Sequence, residues 1–133
     1  MPSSFETGVK KVQIAGADGQ VPFEMQSQST PQTKEVTGAS VAAAATTTIA
    51  TIQVTGFSTV GIIVNPSASH NYTLNVYASP DGTIKADKLT TSSATGGARS
   101  PIVDCPAEYV IVEVNNADAA SKTYDVWSRK MNR

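Results

Sequence analysis

The rhythm of apolar and polar residues changes near Thr37. Residues 1–36 are polar, with apolar positions too sparse to build a core. Within them Val12 and Ile14 alternate with polar neighbours, Gly16-Ala17-Asp18-Gly19 supplies turn residues, and Val21, Phe23 and Met25 alternate again. That pattern predicts a small hairpin. A lone two-stranded hairpin is marginal in water, so an extended N-terminal arm of this kind is expected to dock on the main domain or on a neighbouring chain. Gln26–Glu35 has linker composition, and Pro31 opposes regular structure there.

From Val36 onward the period is that of strands. Ala42–Ala45 favour helix, but the run is short and the β-branched Thr46, Thr47 and Thr48 follow it, so a loop or strand start is expected, then a strand through Ile49, Ile52 and Val54. Thr59–Val64 is the most apolar segment, with Val60, Ile62 and Val64 on one face and Ile63 on the other, which predicts a central strand buried on both sides. Asn65–Asn71 reads as a turn. In the strand that follows, Tyr72, Leu74, Val76 and Ala78 face one way and Thr73, Asn75, Tyr77 and Ser79 the other, predicting one buried and one wet face. Ser79-Pro80-Asp81-Gly82 is a turn in which Pro80 presets φ and Gly82 tolerates the left-handed region. Residues 86–99 read as a long loop with at most a short edge strand around Leu89. Extended structure resumes at Ile102–Asp104, Tyr109–Val114 is a second apolar strand, and a last strand runs from Lys122 to about Arg129.

Strands of this length, separated by turn signals, predict an all-β domain over residues 37–133, an antiparallel β-sandwich or jelly roll with helix nearly absent. Barrel closure stays open on periodicity alone. Ile62, Val76, Ile111 and Val112 are the expected core. With 133 residues, 40% of them hydrophobic, the chain holds one core and not two. Ten basic and eleven acidic side chains nearly cancel, so no global field draws the protein to nucleic acid or to an anionic membrane. No segment has the length of a membrane span, and the first residues lack a signal-peptide core, which predicts synthesis and folding in a cytoplasm. Arg129, Lys130 and Arg133 read as a solubilising chain end, with a partner-facing tail as the alternative.

Candidate chemistry is sparse. The single histidine, His70, sits in a predicted turn, where it is expected to be exposed and replaceable without loss of stability. A Ser-His-Asp set or a dyad with Cys105 lacks the accompanying nucleophile elbow. Cys105, beside Val103 and Pro106, reads as a buried strand end. Asp81, Asp87 and Asp118 occupy turns, so turn chemistry explains them more simply than a calcium site. Gly96-Gly97 lacks the Lys-Ser/Thr of a phosphate loop, and Asn71-Tyr72-Thr73 matches a glycosylation acceptor without a secretory signal. Tyr77, Tyr109, Tyr124 and Trp127 are either core fillers or a platform for sugar rings. No catalytic residue, metal ligand or cofactor is assigned.

The segment from Val54 to Met131 carries a further pattern, "VTGFSTVGIIVNPSASHNYTLNVYASPDGT", then a loop, then "PAEYVIVEVNNADAASKTYDVWSRK". It resembles the small β-sandwich virion proteins of tailed bacteriophages, in which a strand ending Tyr-x-Ser-x-Asp-Gly precedes a loop and a Tyr-Val-x-Val-x-Val-x-Asn strand. The opening "VQIAGADGQ" is similar to hairpin openings of phage head and tail accessory proteins. The matching positions are Tyr77, Ser79, Asp81 and Gly82 at the turn, and Tyr109, Val112, Val114 and Asn115 on the later strand. The resemblance implies a capsid decoration or other head or tail accessory protein located in the virion. It implies neither enzyme activity nor cofactor, with major capsid or tail proteins and further copies of the chain as partners. The alternative from another class is a carbohydrate-binding accessory module.

Overall fold

The computed structural model describes residues 28–132. They contain eight strands: β1 (Thr33–Val41), β2 (Thr46–Gln53), β3 (Thr59–Pro66), β4 (His70–Ser79), β5 (Lys88–Gly96), β6 (Ile102–Asp104), β7 (Tyr109–Asn116) and β8 (Lys122–Met131). These pair antiparallel in two four-stranded sheets, β1-β8-β3-β6 (sheet one) and β2-β7-β4-β5 (sheet two). Among consecutive strands only β4 and β5 are neighbours in one sheet; every other connection crosses between the sheets. Eight strands in that order form a jelly roll. Two open sheets, rather than a closed barrel, are the form adopted.

The period-2 pattern explains the core. Val60, Ile62 and Val64 of β3, Leu74 and Val76 of β4, Val110, Val112 and Val114 of β7, and Val126 of β8 are all at 0% exposure and interleave between the sheets. Burial of these side chains is the main stabilising contribution, at roughly 1.5–3 kcal/mol for each one fully removed from water. β-branched residues dominate because their stiff χ1 suits a pleated, packed surface. β3 lies inside its sheet between β8 and β6, as its apolar run predicts, although Ile63 on its outer face is only half-buried.

Several expectations are corrected. β1 starts at Thr33, inside the stretch read as linker, because β8 supplies hydrogen-bond partners through Thr33↔Ser128 and Lys34↔Trp127. Ser29 also bridges to Met131, and Thr30 N donates to Lys130 O at 2.8 Å. The hairpin expected over Val12–Met25 lies outside the described residues. Residues 88–96 form a nine-residue edge strand rather than a loop, held by β4 through pairs such as Leu74↔Ser92. Arg129 and Lys130 belong to β8, paired with Gly61 and Val60, and are not a chain-end tail.

At the corner from β1 to β2, Ala44 adopts φ +57° and Ala45 N donates to Ala42 O at 3.1 Å, a tight turn that carries the chain from one sheet to the other. The turn after β4 forms as its residues predict. Gly82 has φ +86°, and its N–H donates to Ser79 Oγ at 2.8 Å.

Candidate functional site

On sheet one, strand alternation that turns Val60, Ile62 and Val64 inward turns Gly61, Ile63 and Asn65 outward. β8 likewise sends Tyr124 and Val126 in, and Trp127, Arg129 and Met131 out. Register places Ile63 opposite Trp127 and Gly61 opposite Arg129. β6 adds Ile102, 58% exposed. The result is a mostly apolar groove with two lobes that share Ile63 and Gln32. The larger, about 390 Å³, is bounded further by Asn65, Ala98 and Trp127. The smaller, about 210 Å³, is bounded by Gly61, Ile102 and Met131, with Arg129 at its rim. Gly61 keeps the floor low, since a Cβ there would stand 3.4 Å from Met131 Cε. Lys34 closes one side of the Trp127 ring, its ammonium 4.9 Å from the ring centroid and 3.4 Å from Asp125 Oδ2. Contiguous apolar surface with a polar rim marks a contact site.

On sheet two the middle of the outer face, around Ile111 and Glu113, is covered by the chain itself. Residues 80–87 leave β4 and cross the sheet, so that a Cβ on Gly82 would stand 3.1 Å from Thr51 Cγ2 of β2 and 3.5 Å from the Tyr109 ring of β7. They return to β4 where Ala86 N donates to Ala78 O and Ala78 N to Asp87 O, both at 2.9 Å. Beneath them Ile111 is 2% exposed, on the face opposite Val110 and Val112. Glu113 is buried beside it and accepts from Lys85 Nζ, from Asn75 Nδ2 at 3.1 Å and from Tyr77 Oη at 3.4 Å. Burial pushes the Glu113 carboxyl up, but the hydrogen bonds from Lys85, Asn75 and Tyr77 and the Lys85 charge outweigh it, leaving the group below its ordinary range. Thr91 Oγ1 donates to Asn75 Oδ1 at 2.7 Å, so this face, expected to be wet, is a satisfied polar network.

His70 is buried, not an exposed turn residue. Its Nδ1 lies 2.8 Å from Ala68 O, and a carbonyl only accepts, so Nδ1 donates there, while Nε2 is hydrogen-bonded to Tyr124 Oη at 2.6 Å. The imidazole stacks on Tyr72 with centroids 5.0 Å apart. The Arg99 guanidinium lies 3.8 Å from the Tyr72 ring centroid and donates to Tyr72 O and Ser92 O. Desolvation pushes the Tyr124 phenol to about 12, with Tyr72 and Asp118 adding to it, and desolvation also raises Tyr72. These groups lock one end of the sandwich and are already paired with one another.

The remaining candidates do not converge on one centre. Cys105 is a buried strand end, its Sγ 3.5 Å from the carbonyls of Ala107 and Tyr109, while His70 is engaged with Ala68 and Tyr124, so they form no dyad. Asp81 is spent on its own turn, accepting from Thr83 N at 2.8 Å and Ile84 N at 2.9 Å, and those backbone donors hold its carboxyl below the ordinary value. Asp118 pairs with Lys122 at 3.1 Å. Among the described residues no three His, Cys, Asp or Glu side chains are grouped to hold a metal ion. The four aromatics proposed as a sugar platform lie apart: Tyr124 is in the core, Tyr77 and Tyr109 are under or beside the 80–87 loop, and Trp127 is on sheet one. The groove partners Ile102, Met131 and Ala98 were not singled out from sequence. For Ile102 and Met131 the signal was outward parity, apolar residues at positions where alternation demands polar ones, whereas Ala98 lies in the connection after β5 and had no such signal.

No protein-family model matches the chain, and no curated protein matches it. Among solved structures it is similar to one from work on Bacillus endospore appendages, described as a novel family of disulfide-linked pili, with 17% identity and a TM-score of 0.49 over 86% of this chain and 97% of that one. It is also similar to Aeromonas hydrophila PliG, a periplasmic inhibitor of g-type lysozyme, with 17% identity and a TM-score of 0.44 over 84% of this chain and 93% of that one. Likeness at this level assigns neither activity nor partner.

Proposed function

We propose that the chain is an assembly protein that docks through the outer face of sheet one. The observation that carries the reading is the asymmetry of the two outer faces: the chain spends a loop and a polar network on sheet two, whereas among the described residues an apolar groove stays open on sheet one. The finer form of the proposal is a bacteriophage virion structural protein, a capsid decoration or head or tail accessory component. Its support is the strand-and-turn resemblance at Tyr77, Ser79, Asp81 and Gly82 and at Tyr109, Val112, Val114 and Asn115. In that setting the groove meets a capsid or tail protein or another copy of this chain, and residues 1–27, before the first pairing with β8, provide a second contact. Two linked weak contacts raise the effective concentration of one another, which is how a lattice-bound protein gains avidity. The carbohydrate alternative has no observation in its favour, because its four rings do not lie on one face: Tyr124 is in the core, Trp127 is on sheet one, and Tyr77 and Tyr109 are on sheet two.

The test compares wild type, Trp127→Ala and Ile63→Asp for co-sedimentation with phage particles that lack the protein. Each variant is expected to fold and to bind at least about tenfold more weakly, as removal of a buried anchor does. Unchanged binding by both folded variants would remove the groove from the function.

A further inference from the structure

We infer that the groove on sheet one receives the segment Val21-Pro22-Phe23-Glu24-Met25 of a second copy of this chain. The inference rests on the assembly reading and names the occupant of its site. The shape argument comes first. Two lobes that share Ile63 match two side chains projecting from the same face of an extended segment, where residues two apart point the same way. Val21, Phe23 and Met25 have that spacing. The lobe of about 390 Å³ beside Trp127 suits the Phe23 ring, and the lobe of about 210 Å³ beside Ile102 and Met131 suits a flexible or small aliphatic group. Pro22 costs no ladder hydrogen bond in a segment that lies on a face rather than along an edge.

The donor is a neighbour for a topological reason. Asn132 N donates to Gln28 O at 2.9 Å, so the chain enters the domain from beyond the end of the β8 ladder. Returning Phe23 to its own groove would require reversal within Gln26-Ser27, which holds neither Gly, Pro, Asn nor Asp and only the weak turn former Ser27. Reaching another subunit needs no reversal, and the seven residues Val21–Ser27 span up to about 25 Å when extended.

The experiment uses the full chain. Unlabelled protein carrying Phe23→p-benzoylphenylalanine is mixed with isotope-labelled wild type, dissociated, reassembled and irradiated, and the cross-links are mapped by mass spectrometry. The expected product joins position 23 of the unlabelled chain to a groove peptide, around Ala98 or Trp127, of the labelled chain. Cross-links confined to the same chain, cross-links to another surface, or a chain that stays monomeric would each overturn the inference. If Val21→Ser with Phe23→Ser leaves self-association unchanged while Trp127→Ala still abolishes particle binding, the occupant is wrong and the docking face stands.

Discussion

Sheet one and sheet two present outer faces that began from similar sequence, each with an isoleucine at an outward position of an inner strand, and ended differently. In β7, outward Ile111 is sealed by residues 80–87 and flanked by the buried Glu113 network. In β3, outward Ile63 has no such cover among the described residues and stays half-buried in an open groove. The difference shows what a fold does with apolar surface that serves its own stability and what it does with apolar surface left for something else. A loop that covers a face must satisfy its own backbone as well, which Ser79, Asp81 and the Ala78 bonds do here.

The comparison is most severely tested at its two isoleucines. Ile111→Ala is expected to cost roughly 2–5 kcal/mol, as truncation of a buried aliphatic does, whereas Ile63→Ala should cost well under half of that. Equal shifts in the urea midpoint would mean the two faces are not distinct. Next in size, Glu113→Ala leaves Asn75 buried with a lost acceptor and should cost roughly 1–3 kcal/mol.

The same carboxylate gives a pH signature. Its folded pKa is depressed, so its contribution is fully present above the unfolded carboxylate range and is lost as pH falls through that range towards the lower folded value. Wild type should therefore lose more stability than Glu113→Gln between neutral pH and acid, and parallel losses in a pH series of denaturation curves would count against the network. A smaller effect, about 1–2 kcal/mol, is expected for Gly82→Ala, because φ of +86° strains an L residue and the new methyl would press on Thr51. Hydrogen exchange should then rise across residues 80–87 and not in sheet one. Smallest for stability is Trp127→Ala, expected within about 1 kcal/mol by thermal unfolding since the ring is only half-buried. It is the variant expected to matter most for docking.

Much of this architecture was legible in the chain. Alternation identified β3, β4, β7 and β8, and the Ser79–Gly82 turn followed from its residue types. β5 was not legible, because Thr, Ser and Gly carry no apolar rhythm and its hydrogen bonds come from β4, far from anything local sequence encodes. His70 was misread by its neighbours in a turn-rich stretch. It has the same parity as Tyr72 and Leu74, which does place it on the inward face, but its insertion against Tyr124 depends on a strand that lies far along the chain. Substituting His70 with Ala, expected from sequence to be harmless, would instead orphan the Tyr124 hydroxyl inside the core. The groove was half legible: Trp127 was noticed as an aromatic and Ile63 as an outward aliphatic, but only the β3 to β8 register brings them side by side.

The pairing of residues 28–30 with the last residues of β8 has a mechanical consequence. Gln28 and Asn132 meet at one end of a single antiparallel ladder, so a load pulling these two points apart strains its bonds one after another, as a zipper opens, rather than all together. A subunit tugged by its N-terminal segment while held at the C-terminal end of β8 would yield at low force. Held instead by the face of sheet one, it would distribute the same pull over the whole β1–β8 ladder, and the groove would act as the anchorage that makes the domain hard to peel open.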